Sequence, residues 1–224
     1  MNVRFISKQV IAPDVCEFCF RPNTEVEYTP GQYARFTFPF HIDDPRGKQH
    51  RTFSLISHPS DPDIRFITRL NPPLSIYKTH LFALKSGDTM RIDEPHGDAV
   101  LPRLATTPII FVAQGIALAS YLSMLDECAR SDLAHPISLL WVRRGEDDRL
   151  ENLIPGEVPH LTRIDLHYPT RLRVDDVLPN TQSTSLIYLS GSQKFVESLG
   201  ADLETAGIPR ERLIYDYYSG YTDL

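Results

Sequence analysis

The order of apolar and polar side chains divides this chain into two stretches with different rhythms. Over the first hundred residues, short alternating or β-branched runs recur at 3–11, 15–21, 34–38, 52–56, 63–70 and 89–92. A period of two turns one face of a strand to a core and the other to water. Turn-forming residues separate the runs: Pro30-Gly31, Pro59-Ser60-Asp61-Pro62 and Ser86-Gly87-Asp88. Short strands at this spacing predict a small antiparallel β-barrel. One helical stretch interrupts them at 75–84, where Ile76, Leu81, Phe82 and Leu84 form a partial apolar face.

The rhythm changes near Leu101-Pro102-Arg103-Leu104. Residues 108–113 (Pro-Ile-Ile-Phe-Val-Ala) form a continuous apolar run, as a strand buried on both faces does. Further strands are predicted at 137–142, 161–168, 186–190 and 214–218, and helices at 116–130 and 193–206. Strands alternating with helices predict a parallel sheet covered on both sides. The expected architecture is therefore two domains: an antiparallel β-barrel of Greek-key type over 1–103, then an α/β parallel-sheet domain over 104–224. A length of 224 residues suits two such domains.

Composition narrows the function more than it changes the fold. A net charge of −6 gives no general attraction to nucleic acid or anionic lipid. No apolar run approaches the length of a membrane-spanning helix, and Met1–Phe5 enters the strand pattern without an apolar leader. The expectations are no membrane insertion and a cytoplasmic location. Three cysteines are too few for a disulfide framework or for the four thiolates of an iron–sulfur cluster. Cys16-x-x-Cys19 lies in an alternating strand, with no second Cys or His pair near it to complete a zinc site. Both cysteines are expected to be strand residues. The eight histidines are scattered without ligand spacing, so no protein-bound metal is expected.

Two segments carry candidate chemistry. In Arg51-Thr52-Phe53-Ser54-Leu55, a strand places Arg51, Phe53 and Leu55 on one face and Thr52 and Ser54 on the other. A guanidinium forks onto a pyrophosphate, an aromatic ring offers a π-face, and a serine hydroxyl can meet a polar ring edge. Taken alone, the same residues also fit an edge strand with a solvated arginine. In the second half, the apolar strand runs into Ala113-Gln114-Gly115-Ile116-Ala117 and then a helix. A strand end, a tight glycine turn and a helix N-terminus form the usual seat of a dinucleotide phosphate. An ordinary strand-to-helix turn is the alternative.

In order and spacing these segments resemble the ferredoxin–NADP reductase-like flavoproteins over nearly the whole chain. Arg51-Thr52-Phe53-Ser54 is similar to that family's Arg-x-(Tyr/Phe)-Ser flavin signature. Pro30-Gly31-Gln32-Tyr33, Leu84-Lys85-Ser86-Gly87-Asp88 and Glu94-Pro95-His96-Gly97 resemble its barrel turns. Ala113 to Leu118 resembles its Gly-(Thr/Gly)-Gly-Ile-(Ala/Thr)-Pro, but Ala113 and Leu118 stand where Gly and Pro are usual. Trp141-Val142-Arg143-Arg144 resembles its (Tyr/Trp)-Gly-x-Arg, and Ser190-Gly191-Ser192 its Cys-Gly-Pro, with serines for Cys and Pro.

The resemblance implies FAD as cofactor and NADPH or NADH as substrate. It implies that Arg51, Thr52, Phe53, Ser54, Thr68 and Arg69 line the flavin. Ser75, Lys78 and Thr79 compete for its pyrophosphate at the helix start. Gly115, Ile116, Ala117, Arg143, Arg144, Gly191 and Ser192 are implied for the nicotinamide nucleotide. Ser54 and Ser190 flank the transfer, and Tyr218, or in second place Tyr217, covers the ring. Electrons would pass to a separate ferredoxin, flavodoxin, oxygenase component or small acceptor. The departures at 113, 118, 190 and 192 keep a second reading open: an FAD-holding electron-transfer or regulatory subunit with impaired nicotinamide use.

Overall fold

A computed structural model describes residues 1–44, 49–70, 72–131, 133–143 and 149–217. The chain divides into two compact units, Met1–Val100 and Leu101–Leu224.

The first unit is an antiparallel barrel of six strands: β1 (Asn2–Ala12), β2 (Val15–Pro22), β3 (Tyr33–Thr37), β4 (His50–Ser54), β5 (Ile64–Arg69) and β6 (Thr89–Ile92). Their order is β4-β3-β6-β1-β2-β5. Just beyond β4, the Ile56 N–H donates to the Arg65 carbonyl of β5 at 2.9 Å. The alternation read from the sequence becomes a core of phenylalanines. Phe18 stacks on Phe66, Phe20 meets Phe36, and all four are fully buried. Each buried ring contributes about 1.5–3 kcal/mol of apolar burial, so register is fixed by which residues face inward. Helix α1 (Ile76–Ala83) closes the unit, burying Tyr77 and Leu81.

The second unit is a five-stranded parallel sheet: β7 (Ile109–Gln114), β8 (Ile137–Arg143), β9 (Leu161–His167), β10 (Leu186–Gly191) and β11 (Leu213–Tyr217). Helices α2 (Ala119–Arg130), α3 (Val174–Val177) and α4 (Gln193–Thr205) accompany it. The order is β11-β10-β7-β8-β9. From β7 the chain steps outward to β8 and β9, then returns to the other side of β7 for β10 and β11. The order therefore reverses between β7 and β10, and a crevice at the C-terminal ends of the strands is expected there.

Two differences from the expected elements have local causes. The helix expected from residue 116 begins as a 3₁₀ turn, Gly115–Leu118, and becomes α-helical only at Ala119. Gly115 takes φ 57°, and the Trp141 indole N–H donates to its carbonyl at 2.9 Å, so the first turn is drawn tight. Helix α3 and the 3₁₀ turns Arg149–Leu153, Leu178–Asn180 and Arg210–Arg212 were not predicted. Segments of three to five residues are too short to show a helical period.

Candidate functional site

In the barrel, β4, β5 and α1 gather three cations. Arg51 on β4 lies over the Tyr77 ring, 5.1 Å from its centroid, and donates to the Asp44 carboxylate at 2.9 Å. Asp44 is buried, its side chain 2% exposed. Arg69, at the end of β5, is buried and ion-paired to Asp14. The first turn of α1 supplies Lys78, whose ammonium donates to the Arg69 carbonyl at 2.8 Å. Among the described residues no carboxylate pairs with Lys78. Burial, together with the Arg51 and Arg69 guanidinia, pulls its pKa down to about 8. A cation repelled by two neighbours and set at a helix start is a site that an anion relieves.

The same region locates the other predicted barrel residues. Ser75 caps α1, its hydroxyl accepting from the Lys78 N–H at 3.3 Å. Thr79 lies one residue beyond Lys78, exposed, and its hydroxyl donates to the Ser75 carbonyl at 3.2 Å. Of the three residues in competition, Ser75 and Lys78 therefore border the helix N-terminus and Thr79 does not. Thr52 is exposed, whereas Ser54 and Thr68 are buried. Arg69 is 5% exposed.

Phe53 requires a correction to the expectation of a free π-face. Its ring lies in the core against Phe66, centroids 4.0 Å apart and planes within 4°. It stands opposite Ala34, whose small side chain leaves the room. The face on Phe66 is taken, so this ring supports the strand from within.

In the α/β unit, the predicted residues meet at the reversal of strand order. Gly115 follows the end of β7 and Gly191 ends β10. Gly115 and Ala117 are buried, and Ile116 is partly so. A Cβ at Gly191 would fall 2.7 Å from the Phe195 ring and 3.1 Å from the Gln114 Cβ, so the close approach requires glycine. Ser192 caps α4, accepting from the Phe195 N–H at 3.4 Å while donating to the Gln114 side chain at 3.2 Å. Tyr217 pairs with Gly191 and is exposed. Tyr218 and Arg144 lie outside the described residues.

Ser190 is not presented to solvent. It is fully buried, donates to Asp216 on β11 at 3.0 Å, and lies 3.1 Å from the Ser120 hydroxyl of α2. Desolvation raises the Asp216 pKa, and hydrogen bonds from Ser120 and Ser190 partly oppose it. Sequence reading missed Asp216. The one signal available was a carboxylate set among apolar and aromatic residues in Ile214-Tyr215-Asp216-Tyr217.

Arg143 occupies the end of β8 and is already paired, with Glu151 at 2.9 Å and Asp165 at 3.2 Å. Arg163 pairs with the same two carboxylates at 3.0 and 2.6 Å. Both guanidinia lie over Trp141, 4.7 and 5.4 Å from the ring. Asp14, Asp44, Glu151 and Asp165 carried no local sequence signal for Arg69, Arg51 and Arg143, because each reaches that arginine across at least seven residues.

The cysteines behave as expected of strand and helix residues. Burial raises the thiol of Cys16 and lifts those of Cys19 and Cys128 to about 11, keeping them neutral. Among the described residues, no group of three or more His, Cys, Asp or Glu is placed to hold a metal, and no helix is long and apolar enough to cross a membrane.

No family model matches the chain. It is 31% identical over 145 residues to the terephthalate 1,2-dioxygenase reductase component 1 of Comamonas sp, covering 64% of this chain and 41% of that protein. Across eight curated relatives it spans between 35% and 66% of their length. Among solved structures, flavohemoglobin from Malassezia yamatoensis superposes with a TM-score of 0.82 at 18% identity, covering 97% of this chain and 60% of that one. A ferredoxin NADP+ reductase from Neisseria gonorrhoeae gives 0.76 at 16% identity, covering 97% and 98%. Barrel and α/β unit follow one another along nearly the whole chain in the same way, and the fold of this protein is that of the ferredoxin–NADP reductase-like flavoproteins.

Proposed function

We propose that this protein is an NAD(P)H-dependent flavoprotein reductase that holds FAD in a barrel domain, 1–103, and receives the nucleotide in an α/β domain, 104–224. The observation that carries the proposal is the Arg51–Arg69–Lys78 cluster at the start of α1, where a half-buried ammonium, paired with no carboxylate among the described residues, is open to an anion. FAD, when bound, supplies acceptance of two electrons from NAD(P)H and their release, singly or paired, to an acceptor. Arg51, Lys78, the Ser75 cap and Arg69 hold its pyrophosphate. Ser54, with Thr52 on the same strand and Thr68 on β5, borders the ring. Tyr218 or Tyr217 covers it and moves aside for the nucleotide. Gly115, Ile116 and Ala117 take the dinucleotide phosphate at the β7 turn. Gly191 and Ser192 border the nicotinamide, and Arg143 and Arg144 the adenosine end. Ser190 acts from beneath, orienting the end of β10 through Asp216 and Ser120.

Relatives named as reductase components of dioxygenase systems support a separate electron acceptor: an oxygenase component, a ferredoxin, a flavodoxin or a small acceptor. A cytoplasmic location belongs to the same proposal. The test is anaerobic mixing of the purified protein with NADH and with NADPH while flavin absorbance is followed. A yellow protein that bleaches supports the proposal, and a colourless one overturns it. The second reading is an FAD-holding subunit with poor nicotinamide use. Its support is the buried Cβ of Ala113, where a glycine would leave more space for a phosphate. A yellow protein that neither nucleotide bleaches would favour it.

A further inference from the structure

We infer that Lys78 is a site of covalent modification, acylated by small acyl phosphates while the barrel is without its cofactor, and that the acyl group then keeps FAD out. The inference rests on the proposed function insofar as that places the FAD pyrophosphate at the start of α1. The lysine is held in place. Tyr77, the residue before it, is fully buried, and its hydroxyl donates to the Phe36 carbonyl of β3 at 2.9 Å, which fixes the first turn of α1. The Lys78 backbone N–H is tied to the Ser75 hydroxyl, and its terminal nitrogen donates to the Arg69 carbonyl at 2.8 Å. Lys78 is half-buried, so a small molecule still reaches it.

Arg51 lies over the Tyr77 ring, and Arg69 ends β5. Each has a carboxylate, Asp44 and Asp14, whereas among the described residues Lys78 has none. An amine that is desolvated and set beside other cations gives up its proton readily and becomes a nucleophile. Burial and the two guanidinia bring its pKa to about 8 from 10.5. At pH 7.5 about a quarter of such an amine is neutral, against about 0.1% of an ordinary lysine. The neutral amine keeps one N–H for the Arg69 carbonyl and has its lone pair to spare. The arginines favour the reagent as well. A guanidinium carries five N–H donors, and the described hydrogen bonds of Arg51 engage two of its nitrogens, with Asp44 and the His50 carbonyl. A phosphate drawn to these cations brings its acyl carbon to the amine. The lone pair attacks that carbon, the N–C amide bond forms, and the C–O bond to phosphorus breaks. Inorganic phosphate leaves with the electron pair of that bond, and the surplus proton of the amine passes to water. The amide has no charge to offer a pyrophosphate, and its acyl group fills the place.

The test uses the full-length, flavin-free chain with acetyl phosphate, read by peptide mass spectrometry. Lys78 should be acetylated about tenfold or more faster than the exposed Lys85 and Lys194, because its larger neutral fraction outweighs the weaker nucleophilicity of a less basic amine. The rate should rise through pH 8 and then level off, and inorganic phosphate or FAD should slow it. Acetic anhydride, which has no phosphate, should show a smaller preference. The acetylated protein should bind FAD at least tenfold more weakly, and Lys78→Arg should make FAD uptake indifferent to acetyl phosphate. Labelling no faster than at Lys85 and Lys194, a rate that climbs without a break toward pH 10, or an equal preference with the anhydride would each overturn the inference. Should Lys78 label selectively in a protein that takes up no FAD, the reductase proposal fails and the reactivity stands. Should the protein take up FAD while Lys78 labels like any exposed lysine, the inference fails and the reductase proposal stands. Labelling of the unmutated chain decides the matter even where Lys78→Arg does not fold.

Discussion

Each unit of this protein sets an arginine from a strand over a buried aromatic ring, Arg51 over Tyr77 in the barrel and Arg143 over Trp141 in the parallel sheet. The surroundings then diverge. Among the described residues around Arg51, two arginines and Lys78 face the carboxylates of Asp44 and Asp14, so three cations meet two anions. Among the described residues around Arg143, two arginines face Glu151 and Asp165, and these charges cancel. The first arrangement has an unmet demand for negative charge, and the second has none. Residue type alone does not mark a phosphate site. The balance of charge brought in by other strands and helices does, because a buried cation with a partner already has what an anion would offer.

The comparison breaks most sharply at Arg51. Arg51→Ala should weaken FAD retention by about 2–5 kcal/mol, the cost of removing one partner of a buried charge pair, or roughly thirtyfold or more in Kd. The measurement is flavin bound per protein after gel filtration. The substitution also strands the buried Asp44 carboxylate, so Arg51→Ala/Asp44→Asn should recover much of the lost melting temperature without recovering flavin. Recovery of both would mean that Arg51 serves the fold and not the cofactor.

A second substitution probes the other unit. Gly191→Ala drives a methyl against Phe195 and Gln114, and overpacking of this kind costs about 1–3 kcal/mol. Thermal unfolding should show that loss, and NAD(P)H-dependent bleaching should slow while flavin content is unchanged. Flavin lost together with activity would show that the effect is not local to the α/β unit.

Lys78→Met isolates the unbalanced charge itself. It should raise the melting temperature of the flavin-free protein, because a desolvated cation repelled by two arginines is gone. It should also weaken FAD binding by about tenfold, one charge-assisted hydrogen bond. A fall in both would mean that Lys78 is structural.

The smallest expected effect is on pH. The Lys78 pKa is lowered to about 8 from an ordinary value of 10.5, so above pH 8 the unfolded chain binds the extra proton and this group favours folding more as pH rises toward 10.5. Anion binding favours the charged amine, so FAD uptake above pH 8 must also take up a proton. Affinity should therefore fall as pH rises through about 8, and Lys78→Met should flatten the dependence. Fluorescence titrations across that range measure it, and a slope that survives the substitution would assign the effect to another group.

Much of this protein was legible in its sequence. Periods of two and then of alternating strands and helices located the eleven strands of the described residues, because burial on one face or both leaves a local imprint on the chain. The Gly115 turn was legible for a related reason: a tight turn between strand and helix demands a particular residue on the spot. Local pattern placed Arg51 and Phe53 on one strand face, but it did not show that Phe53 would spend its ring on Phe66. Nor did it show that Ser190 would be buried against Asp216.

The sequence by itself determined the two folds, their order and the positions of the turns, since these follow from side chains within a few residues of one another. Only the tertiary structure decided which cations are neutralised. Asp44, Asp14, Glu151 and Asp165 reach Arg51, Arg69 and Arg143 across loops or neighbouring strands, and Coulomb interactions follow distance in space and depth from water, not distance along the chain.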